Sequence, residues 1–166
     1  LVHRLDRPVG GVMVFARTSK AASRLSEAFR THEQDRRYMA VVEGEFSSPL
    51  EPKDYLLKDG KTGMVRVVRE GTPGAKLARL ISRPVACREG LTLTNVQLFT
   101  GRAHQIRVQH AHAGHPLLGD GKYGKLRKDV NRNYQALYSY KLTFDFTTDA
   151  GSLDYLNGKS FQVENV

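Results

Sequence analysis

The chain has 166 residues, 40% of them hydrophobic and 26% charged, which is enough for one domain with a sizeable core and excludes wholesale disorder. Its one cysteine, Cys87, excludes an internal disulfide and a thiolate metal cluster within one chain. Lys plus Arg exceeds Asp plus Glu by 26 to 17, a formal charge of +9, and that balance favours polyanionic partners such as nucleic acid.

No apolar run reaches the length of a membrane span and no basic-apolar-small leader opens the chain, so the expectation is a soluble, cytoplasmic protein. The first residue is Leu1 rather than Met, and a motif begins almost at once, so upstream residues are expected to be missing.

Taken in order, His3-Arg4-Leu5-Asp6-Arg7 sets one carboxylate between two arginines, and Pro8, Gly10 and Gly11 then turn the chain. Guanidinium neighbours favour an ionised carboxylate. Taken alone, the stretch is a surface ion pair at a turn. Gly11 to Ala16 is a short apolar run rich in strand formers, predicting a buried strand. Thr18 or Ser19 then offers an N-cap to a helix running to about His32, with Ala21, Ala22, Leu25, Ala28 and Phe29 at helical spacing. Arg36 to Gly44 reads as a second strand, entered by Arg36 and Arg37 and carrying Tyr38.

Glu45 to Gly74 is rich in Pro, Gly, Lys and Asp and predicts hairpins and surface loops, with one short strand over Met64–Val68. Lys76–Pro84 and Leu91–Thr100 predict two strands about a turn at Arg88-Glu89-Gly90. The segment from His104 to Ala113 has no breaker before Gly114 and Pro116, a pattern that predicts a helix with a glycine stop. Gly119 to Asn133 is the most basic loop, with Lys122, Lys125, Arg127, Lys128 and Arg132. Ala136–Phe146 and Lys159–Glu164 predict the last strands.

Two motifs point elsewhere and are set aside. His110, His112 and His115 with Asp120 form an H-x-H-x-x-H pattern similar to a zinc-hydrolase loop. Gly114 stands where the acidic residue of that loop belongs, and on a helix His110 and His112 diverge by about 200°. These histidines are therefore expected to be solvated or hydrogen-bonded, and no metal is expected. Gly119 to Gly124 fits G-x-G-x-x-G, but neither a clear strand before it nor a clear helix after it supports a dinucleotide site.

Three blocks, in order, resemble the pseudouridine synthases of the RluA branch: His3-Arg4-Leu5-Asp6-Arg7 with its glycine turn, Arg37 to Gly44, and Gly101-Arg102-Ala103-His104-Gln105-Ile106-Arg107 with Gly114 to Asp120 and Tyr123-Gly124. Two departures bear on substrate preference. The family often has Thr-Ser-Gly in place of Pro8-Val9-Gly10-Gly11, and a histidine in place of Gln109.

The resemblance implies an α+β fold, a largely antiparallel mixed β-sheet with flanking helices and a central RNA-binding cleft. It implies one catalytic domain over 1–166, lacking its N-terminal part. It assigns Asp6 as the catalytic carboxylate, acting as nucleophile or as base, and Arg107 as the arginine that pairs with and aims it. Tyr38 becomes the tyrosine stacked on the target base, and Arg4 the side chain that fills the gap left by a flipped base. Lys141 and Leu142 resemble a weaker motif lining the uracil pocket. Arg36, Arg37, Lys122, Lys125, Arg127 and Lys128 are candidate phosphate contacts. No cofactor is implied; the partner is ribosomal or transfer RNA, with no membrane and no obligate protein partner for a monomer. A non-catalytic RNA-binding module and a zinc hydrolase are the competing classes.

Overall fold

A computed structural model describes residues 1–125 and 131–164. The expected strand over Gly11–Ala16 shrinks to a two-residue strand, β1 (Gly10–Gly11). The cause is where its donors go: Val12 N–H donates to the Ser139 carbonyl at 2.8 Å, and Val14 N–H to His3 Nε2 at 2.9 Å. The segment still delivers Val12, Val14 and Ala16 to the core. Helix α1 (Ser19–Thr31) is capped by the Thr18 hydroxyl, which accepts from Ala21 N–H at 3.1 Å. It ends on His32 in the left-handed region.

Strand β2 (Gln34–Glu43) alternates Gln34, Arg36, Tyr38, Ala40 and Val42 on its more buried face. The stretch expected to be mostly loop contains β3 (Lys53–Lys58) as well as β4 (Val65–Val68). Strand β4 pairs with β3, and β3 with β5 (Lys76–Arg88), which runs past the expected end at Pro84 because a bulge between Pro84 and Ala86 lets pairing resume on β6 (Leu91–Leu98). Helix α2 (Gln105–His112) follows, with Gly114 at φ +86° just beyond its cap. Strand β7 (Leu137–Phe144), a 3-10 helix over Gly151–Leu156 and β8 (Ser160–Gln162) complete the described chain.

The sheet order is β1-β7-β2-β6-β5-β3-β4, with β8 also on β7. Among the described residues only the β1–β7 pairing is parallel, so the sheet is mixed and largely antiparallel, and the fold is α+β. Gly11 is required where β1 meets β7: its φ is +125°, and a Cβ there would lie 1.9 Å from the Ser139 carbonyl oxygen.

Both helices cover one face of the sheet. Leu25 and Ala28 of α1 pack on Leu142 and Phe144, while Ile106 of α2 packs on Tyr38, Ala40, Val42, Leu80, Val96 and Leu98. Arg36 is paired with Leu142 and Leu98 in register and lies between the two clusters. The cleft opens there. An Arg24–Glu33 ion pair at 2.8 Å, with Arg24 also donating to the Asp149 and Thr148 carbonyls, ties α1 to the C-terminal segment. No helix among the described residues is long and apolar enough to cross a membrane.

Candidate active site

Four segments converge on one pocket: the turn with Asp6 and Val9, β2 with Arg36 and Tyr38, the stretch from the end of β6 into α2 with Leu98, Gly101, Arg102 and His104 to Arg107, and β7 with Leu137; Arg4 and Leu5 of the turn complete its wall. The turn closes with Val9 N–H donating to the Asp6 carbonyl at 2.7 Å, and Gln135 Nε2 donates to the Arg7 carbonyl at 3.0 Å. These bonds to backbone carbonyls fix the turn that brings Asp6 to the pocket.

The partner of Asp6 is not the one its local sequence suggests. Arg4 and Arg7 are exposed and make no ion pair with it among the described residues. Arg107 approaches instead, Nη1 to Asp6 Oδ2 at 3.7 Å. The bidentate grip of Arg107 falls on Asp120, Nε to Oδ2 at 2.7 Å and Nη2 to Oδ1 at 2.8 Å. Asp120 is 1% exposed and Arg107 7%. Burial opposes the charge on Asp120, but the Arg107 bonds and the N–H groups of Lys122 and Tyr123 hold its carboxyl below the usual range. Burial would likewise lower the Arg107 guanidinium, yet the Asp120 pair raises it. Arg107 is therefore a fixed cation beside Asp6, held by a second carboxylate.

That second carboxylate is the residue the sequence reading passed over as a partner. Its signal was Gly119-Asp120-Gly121, where an aspartate at a tight turn bonds forward backbone N–H groups; which cation it would meet depended on the fold. His104 was likewise missed. It caps α2 at φ 52° and lines the pocket, with Nδ1 2.6 Å from the Tyr123 hydroxyl. That hydroxyl also accepts from Val65 N–H at 3.0 Å, which fixes the phenol beside the imidazole. Burial lowers the His104 pKa, with the Asp6 charge opposing.

Tyr38 is 7% exposed and lines the pocket. Burial raises its phenol above the ordinary range, against the pull of Arg36 and Ser139. Arg36 also lines the pocket, half-buried; burial lowers its pKa, and its Nε is buried without a partner among the described residues. Arg37 lies on the opposite sheet face, paired with Asp35 at 2.8 Å. Arg4 is exposed at the pocket rim.

The structure brings neither Lys141 nor Leu142 to the pocket. A bulge in the β2–β7 pairing leaves Tyr140 unmatched and sets Leu142 opposite Arg36, beneath α1, where it is 3% exposed. Lys141 pairs with Arg37 and faces away. Leu137 is the β7 residue that lines the pocket. Lys122 and Lys125 belong to the loop after Asp120, and Lys122 Nζ lies 3.5 Å from the Gly63 carbonyl; Arg127 and Lys128 lie outside the described residues.

The histidines are dispersed. His110 is 1% exposed, bonded to the Ile106 carbonyl and to Ser82, so it is not solvated. His115 bonds the Glu43 carbonyl. Among the described residues no three His, Cys, Asp or Glu side chains gather closely enough to hold a metal ion.

The model of the RNA pseudouridylate synthase family matches residues 1–112. The chain is 38% identical over 144 residues to the uncharacterized RNA pseudouridine synthase YjbO of Bacillus subtilis, covering 87% of this chain and 50% of that protein. It is 30% identical over 175 residues to ribosomal large subunit pseudouridine synthase C of Haemophilus influenzae, covering 100% of this chain and 53% of the relative. The chain thus spans about half the length of the curated relatives it matches. The structure of human RNA pseudouridylate synthase domain containing 4 shares the fold, with a TM-score of 0.69 at 22% identity, covering 86% of this chain and 65% of that one. With residues 1–112 matched by the family model and full-length coverage by a named relative, the chain belongs to the RNA pseudouridylate synthase family, in its RluA branch.

Proposed function

We propose that the protein isomerises specific uridines in structured RNA to pseudouridine, with Asp6 as the catalytic carboxylate. The observation that carries this reading is the position of Asp6: its side chain is 32% exposed in a pocket, beside an Arg107 whose strong bonds are taken by Asp120. A carboxylate that is oriented yet not consumed by its partner keeps an oxygen for the sugar.

The reaction breaks the bond from ribose C1′ to uracil N1, rotates the base and forms a bond from C1′ to C5; the C5 proton leaves and N1 ends protonated. Asp6 serves it by attacking C1′ or by removing the adjacent ribose proton. Tyr38, kept protonated by burial, provides a flat wall on which the uracil stacks and a hydroxyl beside C5. His104 lines the same pocket, its ring held by the Tyr123 hydroxyl. Arg4, exposed at the rim, occupies the space left in the RNA when the uridine is flipped, at an unstacking cost of a few kcal/mol. The protein works as a monomer in the cytoplasm, and these residues form one catalytic domain.

The substrate is ribosomal or transfer RNA, and the name of the Haemophilus relative favours ribosomal RNA. Asp6→Asn is expected to lower the single-turnover rate of pseudouridine formation by at least about 10³-fold while leaving Tm and RNA affinity near wild type. Retained activity would sink the assignment. Mapping which uridines lose the modification in a strain lacking the gene separates ribosomal from transfer RNA targets.

A further inference from the structure

A second cavity, of about 350 Å³ against about 90 Å³ for the pocket at Asp6, lies on the far side of the Gly101-Arg102-Ala103 turn. The two share Gly101 and Arg102 in their walls. Leu56 and Val65, each 4% exposed, give the second cavity an apolar wall. Lys58, Lys76 and Arg102 give it three cations, and no acidic side chain lines it.

The cations are available. Arg24, Arg30, Arg37, Arg88 and Arg107 all have carboxylate partners, whereas Lys58, Lys76 and Arg102 have none within 4.0 Å among the described residues. Arg102 is also aimed: its Nε donates to the Leu77 carbonyl at 2.8 Å, leaving the terminal nitrogens without a partner among the described residues. Its backbone N–H donates to Gln105 Oε1 at 3.0 Å, and that oxygen also accepts from the Thr100 hydroxyl at 2.7 Å. The turn between the cavities is thereby held rigid.

A hollow with one apolar wall and a cationic rim fits a ligand with a flat ring and an anionic linker. We propose that this cavity seats the nucleotide next to the target uridine in the same RNA strand, with successive phosphates of the strand on Arg102, Lys58 and Lys76, one to each, and its ring against Leu56 and Val65. The proposal rests on the reading that the first pocket takes a flipped uridine. It extends that reading by making the shared Gly101-Arg102 wall the point where the strand passes from one base seat to the next.

The test uses the protein as encoded by its gene and a fluorescein-labelled oligouridylate of twelve nucleotides, with anisotropy followed across a potassium chloride series. Lys58→Gln/Lys76→Gln is compared with Lys20→Gln/Lys53→Gln, an equal loss of charge at exposed lysines outside both cavities. The cavity variant is expected to bind about fivefold or more weakly at low salt. Its log–log salt slope should be shallower by about 1.4, at roughly 0.7 per phosphate contact for single strands. The control pair should stay near wild type. Pseudouridine formation by the unsubstituted protein on unmodified ribosomal and transfer RNA is measured alongside. If product forms and the two double variants behave alike, the second seat is overturned and the catalytic reading stands. If no product forms on either RNA, the catalytic reading fails and the seat falls with it.

Discussion

Arg107 faces two carboxylates, and the distances rank them: 2.7 and 2.8 Å to Asp120 against 3.7 Å to Asp6. A guanidinium gripped on both nitrogens by Asp6 would hold that carboxylate shut. With Asp120 taking the grip, Arg107 stands as a fixed positive wall 3.7 Å from Asp6, and in the proposed reaction it would orient that carboxylate across the longer gap. Its guanidinium also lies 5.1 Å from the Tyr123 ring centroid, so the ring that bonds His104 covers the arginine. Asp120→Asn removes the charge from a fully buried side chain and leaves Arg107 with only its distant partner. Breaking a buried pair from one side costs about 3 kcal/mol or more, so the urea midpoint should fall accordingly. Turnover per folded molecule should fall at least about tenfold through loss of aim. An Asp120→Asn protein of wild-type stability and rate would show that Asp6 does not depend on this pair.

At the scale of elements, α2 is unusual because it buries polar side chains beside Ile106 and Val108. Gln105 bonds Thr100 and the Arg79 carbonyl, Gln109 bonds Asp54, and His110 bonds Ser82. These bonds join the helix to β3 and β5, and they make the joint sensitive to acid. Burial lowers the His110 pKa to about 4. Above the unfolded value near 6.5, both folded and unfolded chains carry neutral His110 and its contribution is whole. As pH falls from about 6.5 to 4, the unfolded chain takes up the proton first, so stability is lost, by up to about 3 kcal/mol at roughly 1.4 kcal/mol per pKa unit. His3, also lowered to about 4 by burial, adds a smaller share in the same window. Urea unfolding between pH 7 and pH 4.5 should show this decline, and His110→Gln should be less stable at pH 7 yet flatter across the window. An equally steep decline in the variant would assign the acid sensitivity elsewhere.

The same elements show what a one-dimensional reading can hold. Strands β2, β6 and β7 and both helices were legible because their signals are local: alternation, the Thr18 cap, the Gly114 stop. Strand β3 was hidden because Lys53–Lys58 sits among prolines and glycines and is defined by pairing with β5, far along the chain. Val12–Ala16 misled in the opposite way, since it has strand composition but gives its donors to Ser139 and His3. Asp6, Tyr38 and Arg107 were legible as motif residues and do line one pocket. Leu142 was not placeable, because the bulge at Tyr140 that moves it under α1 has no local mark, and Asp120 found its partner only when the turn after Leu118 met α2.

Across the whole molecule, the excess of positive charge matters less than where it is left unpaired. Much of it is neutralised locally: Arg24 by Glu33, Arg37 by Asp35, Arg107 by Asp120. Around the two cavities, Arg4, Arg36, Arg102, Lys58 and Lys76 have no carboxylate within 4.0 Å among the described residues. A strand laid across both cavities would meet all five. At roughly 0.7 per phosphate contact, log affinity for a single strand should fall with log salt at a slope of about −3.5. A protein that bound RNA through its net charge alone would show a slope that any exposed lysine pair could lower. Here Arg4→Gln, Arg102→Gln and the Lys58–Lys76 pair should each reduce it, whereas Arg37→Gln, whose charge is already matched by Asp35, should leave it unchanged. A slope that responds to Arg37 as strongly as to Arg102 would mean that RNA reads the opposite face of the sheet, and that the cleft between α1 and α2 is not its path.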